Sequence, residues 1–172
     1  TAADNFTFDE LCQGISEAHA LGKKVYITAN AIPHEDDLDT LKEVCELAVA
    51  AEADALIVSD LGAFDIACDY KDKIDIHIST QASNSNHRSM NVWHKMGASR
   101  IVLARELSFE EIRKIRKNIS PELELEMFVH GAMCMSYSGR CLLSNYLTNR
   151  DSNRGACAQP CRWKYFLTEE KR

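Results

Sequence analysis

No stretch of the chain approaches the run of about 18 apolar residues that a membrane-spanning helix needs, and the opening Thr1-Ala2-Ala3-Asp4-Asn5 carries neither a basic start nor an apolar signal core. A soluble, cytoplasmic protein that meets no membrane is the expectation. Low-complexity linkers and internal repeats are missing too, so 172 residues, 45% hydrophobic and 27% charged, read as one core rather than two. Protease signatures are scarce. The nearest approach to the zinc-protease helix His-Glu-x-x-His is His34-Glu35-Asp36-Asp37-Leu38, which lacks the second histidine, and no Gly-x-Ser-x-Gly elbow occurs. A cysteine nucleophile stays open, because its histidine would meet it in space rather than in sequence.

Seven cysteines are present. Cys12, Cys45 and Cys68 are scattered through apolar, helix-like stretches and read as reduced core residues, not as a secreted disulfide scaffold. The net charge of −6 argues against a wholesale nucleic-acid coat, yet residues 134–166 hold Arg140, Arg150, Arg154, Arg162 and Lys164 against Asp151 alone. That segment is +4 and the remainder −10. Such a patch either attracts a phosphate-bearing partner or is a solvated face that keeps the cysteine loop soluble.

Five short β-branched runs read as strands: Lys24–Asn30, Ala55–Asp60, Ile74–Gln81, Arg100–Glu106 and Leu123–His130. Helical patterns separate them. Thr7-Phe8-Asp9-Glu10 and Ser108-Phe109-Glu110-Glu111 are capping boxes, in which hydroxyl and carboxylate satisfy free amides at a helix start. The second helix continues with Ile112, Ile115 and Ile119; a third covers Asp37 to Ala51, and a fourth carries Val92, Trp93 and Met96. Strand–helix alternation gives right-handed βα units and a parallel sheet, either a (β/α) barrel or an open doubly wound sheet. Parity chooses between them. Ile74, Ile76 and Ile78 face one way while Asp75, His77, Ser79 and Gln81 face the other, and Leu123, Leu125, Met127 and Val129 oppose Glu124, Glu126, Phe128 and His130. A doubly wound sheet is apolar on both faces, whereas a barrel tolerates polar side chains inward near its active-site end. The fold class is therefore α/β, a TIM-type barrel with parallel strands over residues 1–130, then a cysteine-rich segment over 131–167. Five strands cannot close a barrel that needs eight, so the barrel is partial. With no initiating Met, and with Thr168–Arg172 following a strand-like Trp163–Leu167, the chain reads as a segment of a longer protein whose open edges invite self-association.

After the fifth run, Cys134, Cys141, Cys157 and Cys161 fall in one region, spaced C-x6-C-x15-C-x3-C. A cytosolic chain rarely keeps four thiols so close unless thiolates bind something. Structural zinc usually takes C-x2-C knuckles, which neither pair supplies, while a cubane iron-sulfur cluster accepts thiolates from wider, less regular loops. Cluster, zinc and plain thiols or disulfides all stay open on spacing alone.

The stretch Glu126-Met127-Phe128-Val129-His130-Gly131-Ala132-Met133-Cys134, then Gly139-Arg140-Cys141-Leu142-Leu143-Ser144, resembles the signature of the collagenase-like peptidase family U32, of unassigned catalytic type. Lys23–Asn30, Ser79-Thr80-Gln81, Val102–Glu106 and Arg150–Trp163 resemble the same family, so the likeness covers nearly the whole chain. The resemblance implies a barrel whose first two βα units lie upstream of Thr1. Some members are reported proteases; others are RNA hydroxylases that act on the wobble uridine of tRNA or on a ribosomal cytidine, need a four-iron four-sulfur cluster and depend on prephenate. Resemblance maps their cluster ligands onto Cys134, Cys141, Cys157 and Cys161, and Ser144–Gly155 is more similar to the tRNA branch. It thus implies tRNA as partner, prephenate as small-molecule co-substrate, and room for a paralogous partner subunit. The alternatives are a collagenase-like peptidase and a non-catalytic scaffold folded by zinc or a cluster.

In a (β/α) barrel the active site forms at the carboxyl ends of strands, which selects Asn30, Asp60, Gln81, Arg105, Glu106 and His130. Arg105 suits a bidentate clamp on a carboxylate or phosphate, or an ion pair with Glu106. His130 can move protons or donate to a cluster sulfur. Glu126 shares His130's parity and needs a donor partner if it points inward. Arg105, His130, Gln81 and Glu126 are the expected catalytic set, lining one concave surface with His77 beside the cysteine loop. Trp163 and Tyr165 suit either base stacking or core packing.

Overall fold

The computed structural model describes residues 5–131, 133–137 and 140–166. Ala132 and Gly139 of the signature, Leu167 and the tail Thr168–Arg172 lie outside the described residues. Five parallel strands, β1 (Tyr26–Thr28), β2 (Ala55–Val58), β3 (Asp75–Ile78), β4 (Arg100–Val102) and β5 (Glu124–Glu126), lie side by side in chain order. Around them run α1 (Phe8–Ala20), α2 (Leu38–Ala50), α3 (Leu61–Cys68), α4 (His87–Met96) and α5 (Phe109–Arg116), with α6 (Leu143–Thr148) in the cysteine segment. Neighbouring strands in sequence are neighbours in space, the winding of a barrel wall.

Register sets the two faces. Tyr26 aligns with Ala55 and Asp75, and Ile57 with His77, Arg100 and Glu124, so the polar side chains share one face. On the other, Leu56, Val58, Ile76, Ile78 and Ile101 pack in one cluster with Ile15 of α1, Cys45 and Ala48 of α2, Phe64 of α3, Met90 of α4 and Ile115 of α5. Water leaving this apolar face is what fixes the helices to one side. Both capping boxes form: Glu10 N donates to the Thr7 hydroxyl and Glu111 N to that of Ser108, each at 3.3 Å. Cys45 is fully buried, and Cys12 and Cys68 are partly buried against the same core. All seven cysteines are free thiols.

Strand lengths depart from expectation, and the reasons are local. Beyond Ile78, Ser79 accepts from Gln81 N at 3.2 Å and caps a 3-10 turn at Thr80–Ala82, so a side chain replaces the ladder as hydrogen-bond partner. Leu103 N donates to Glu126 O, but Ala104 N turns away to Asn84 O, which leaves Met127–His130 without a pairing edge. Asn30, Asp60, Gln81, Arg105, Glu106 and His130 therefore do not end strands; they lie in the loops that follow them. Trp163–Phe166 form no strand either, and follow a 3-10 turn at Pro160–Arg162. Helix α3 went unforeseen because Leu61–Cys68 is apolar on most sides and shows no single stripe.

Candidate functional site

Asn30, Ser59, Ser79 and Thr80 stitch the carboxyl ends of β1 to β4 together. The Ser59 hydroxyl donates to Asn30 O at 2.8 Å, Asn30 Nδ2 reaches the Ser79 hydroxyl at 3.5 Å, and Thr80 Oγ1 donates to Leu103 O at 2.9 Å. Asp60 is committed locally, its carboxylate capping α3 through the amides of Gly62 and Ala63. Four buried polar atoms lack a partner among the described residues, and all fall between His77 and Asn84: His77 Nδ1, Gln81 Oε1, Ser83 Oγ and Asn84 Nδ2. Ser83 also holds a left-handed φ of 55°. Three of these atoms, with the strained backbone of Ser83, lie in the loop that follows β3, a place where water or a polar ligand completes the hydrogen bonds.

The inner sheet face carries a charged network. Arg100 donates through Nε to Glu124 at 2.8 Å and through Nη1 to Glu126 at 3.0 Å, and lies over the Tyr26 ring at 5.1 Å. Burial works against the Arg100 charge, but the bonds to Glu124 and Glu126 outweigh it and raise its pKa. Glu124 is correspondingly lowered by Arg100. His77, 2% exposed, packs edge-on to Tyr26 with centroids 4.7 Å apart. Burial, then the Arg100 charge, push its pKa down, and the neighbouring carboxylates of Asp75, Glu126 and Glu124 only partly oppose them. Sequence reasoning foresaw a partner for Glu126 but not that Arg100 would supply it.

Cys134, Cys141, Cys157 and Cys161 line a single cavity of about 230 Å³, together with Arg105, Met133, Pro160 and Arg162. Serines hold its walls. Ser144, fully buried on α6, accepts from Ala158 N at 3.0 Å, and the Ser152 hydroxyl donates to Cys141 O at 2.6 Å. The segment is tied to the barrel by Arg154, whose guanidinium grips both oxygens of Asp37 just before α2. Arg154 holds the Asp37 carboxyl well below the usual carboxylate range, helped by the backbone of His34. Two sulfurs accept backbone amides: Leu143 N reaches Cys141 Sγ at 3.4 Å, and Gln159 N reaches Cys157 Sγ at 3.3 Å.

Four thiols with no carboxylate or imidazole among the cavity's lining suit a soft metal or an iron-sulfur cluster. Among the described residues no three His, Cys, Asp or Glu side chains converge as ligands of one ion do. Arg105 joins this cavity, its guanidinium 5.8 Å from the Phe128 ring centroid, whereas Gln81, Glu126 and exposed His130 stay outside the lining. Glu106 is exposed.

The model of Peptidase family U32 matches residues 1–172. The chain belongs to that family. This U32 chain is 45% identical over 168 residues to the tRNA hydroxylation protein P of Escherichia coli, covering 98% of the chain and 37% of that protein. It is 44% identical over 171 residues to an uncharacterized protease of Methanocaldococcus jannaschii, covering 98% of the chain and 41% of that protein. The chain thus spans less than half the length of these curated relatives. A solved structure of a U32 peptidase aligns with a TM-score of 0.54 at 21% identity, over 68% of this chain and 51% of that one, a likeness of fold. Among the described residues no helix is long and apolar enough to cross a membrane.

Proposed function

We propose that this chain is the cluster-bearing part of a cytoplasmic enzyme that hydroxylates the wobble uridine of tRNA, with prephenate as co-substrate. The observation that carries the reading is the meeting of four cysteines on one cavity that Arg105 also lines. The 45% identity to a protein named for tRNA hydroxylation supports the substrate class. Residues 1–130 are the barrel portion and 131–167 the cluster-binding segment, with Cys134, Cys141, Cys157 and Cys161 as ligands of a four-iron four-sulfur cluster. When bound, the cluster supplies one-electron chemistry tuned by hydrogen bonds to its sulfurs.

The chain's own residues bind and orient. The amides of Leu143 and Gln159 donate to Cys141 and Cys157 and so orient their sulfurs. Arg105, stacked on Phe128, presents a planar fork to a carboxylate or phosphate entering the cavity, which is how it would hold prephenate or the RNA backbone. Gln81, with an unpartnered buried amide oxygen, accepts from a bound co-substrate or from water. His130 stands exposed four residues before Cys134, where it would meet the substrate as a hydrogen-bonding group. Glu126 acts through Arg100 as a positioning residue.

Deleting the gene and analysing tRNA nucleosides by mass spectrometry should reveal a missing hydroxylated uridine, restored by the wild-type gene. Anaerobically purified full-length protein should be brown with roughly four irons per chain, and any one Cys→Ser change among the four should remove most of the iron and the modification. Stoichiometric zinc in a colourless sample sinks the cluster. Unchanged nucleosides with metal-independent gelatin cleavage, abolished by one Cys or His substitution, would establish the peptidase instead.

A further inference from the structure

Around the cysteine cavity the surface changes character. Residues 134–166 hold five cations and one acid, and Asp37 of the acidic body neutralises only Arg154. Arg150, Arg162 and Lys164 are exposed and pair with no carboxylate among the described residues. Arg162 lines the cavity and donates to Met133 O at 3.1 Å, which anchors the guanidinium at the opening with its charge uncompensated. Aromatic rings are interleaved with these cations: Tyr146, Trp163 and Tyr165 are 85%, 47% and 61% exposed. Tyr165 is tethered, its hydroxyl donating to Pro160 O at 2.9 Å while most of the ring stays open. Tyr146 stands one turn beyond Leu143, itself in the cavity wall, and α6 packs against the Pro160–Arg162 turn, so the rings flank one opening.

A face built only for solubility has no use for exposed rings, and a duplex-binding face relies on phosphate contacts without them. Rings alternating with unpaired cations match single-stranded nucleic acid, whose bases stack while its phosphates pair. Building on the RNA-modifying reading above, we propose that Arg150, Arg162, Lys164, Tyr146, Trp163 and Tyr165 form the docking surface for an unpaired stretch of the substrate RNA. A splayed nucleotide held there lies beside the four-cysteine cavity, with its neighbours' phosphates on the rim cations.

Binding of tRNA from the deletion strain to the full-length protein, followed by fluorescence anisotropy across a salt series, tests this. Arg150→Ala and Lys164→Ala should each lower the slope of log affinity against log salt by about 0.7, the value for one lost phosphate contact on a single strand. Trp163→Ala should weaken binding by roughly tenfold with little change in slope, and Trp163→Phe should retain most of the affinity. Variants that melt like wild type yet bind tRNA with unaltered affinity and slope overturn the proposal. If such variants still restore the hydroxylated uridine, the RNA docks elsewhere and the reaction stands; if deletion removes no nucleoside and the wild type ignores tRNA, both readings fall. Binding to phosphatidylserine vesicles that these substitutions abolish, with tRNA binding unaltered, would assign the surface to a membrane and also overturn it.

Discussion

Asp37 and Arg154 are 117 positions apart and join the cysteine segment to the barrel by a two-pronged ion pair. Because the Asp37 pKa is depressed in the folded chain, this contribution is full above the unfolded carboxylate value of about 4 and is lost as pH falls through the lower folded value. Asp37→Asn removes the charge at neutral pH. In metal-free protein, alkylation of Cys141 and Cys157 should speed up several-fold, measured by mass spectrometry, while the barrel's melting temperature moves little; unchanged alkylation would refute the tether. His77 loses its contribution in the same direction, but at a higher pH. A depressed histidine pKa means the unfolded chain binds the proton first, so the contribution of His77 is complete above about pH 6.5 and is lost as pH falls through its lower folded value. A His77→Gln variant should show a flatter dependence of melting temperature on pH below 6.5. An identical slope in both proteins would show that His77 does not titrate on unfolding.

Among the elements, α3 and α4 meet through one aromatic pair that is tied to the loop after β3. Phe64 of α3 meets Trp93 of α4 edge-on at 5.0 Å, and Trp93 Nε1 donates to Asn84 Oδ1 at 3.0 Å. That bond pins the loop after β3, because Asn84 O in turn accepts from Ala104 N beside β4. Phe64→Ala should cost about 3–5 kcal/mol, read by urea unfolding, since a fully buried ring leaves a cavity that β2 and β3 cannot collapse into. A loss below about 1 kcal/mol would mean the layer repacks freely. Helix α6 is held differently. With Tyr146 and Leu142 exposed, its one fully buried side chain among the described residues is Ser144, so hydrogen bonds to the cysteine loop, not apolar burial, fix its place.

At the scale of the whole molecule, β1 and β5 each have one edge unpaired among the described residues. Beside β1, Phe6, Phe8, Val44 and Leu47 border an open apolar groove of about 400 Å³. Unpaired strand edges next to apolar surface template further pairing. The 172-residue polypeptide on its own should therefore self-associate, giving a sedimentation coefficient that rises with concentration; a monodisperse monomer would contradict this.

Alternating Ile74, Ile76 and Ile78 against Asp75 and His77 was enough to assign two unlike sheet faces, because side-chain period two is imposed by the pleat whatever the surroundings. Both capping boxes were legible for a similar reason, their partners lying three residues apart. The spacing of Cys134, Cys141, Cys157 and Cys161 singled out the thiols, and the match to the U32 model agrees with the signature in which two of them stand. Strand ends were not legible, since Ala104 N leaves the ladder for Asn84, a partner 20 residues back that no local pattern announces. Nor could sequence say that Arg105 reaches the cysteine cavity while His130, much nearer in sequence to Cys134, stands outside its lining. Local hydrogen bonding and the pleat are written in neighbouring residues. Which cation faces which thiol depends on how loops from different strands pack, and only the tertiary structure decides that.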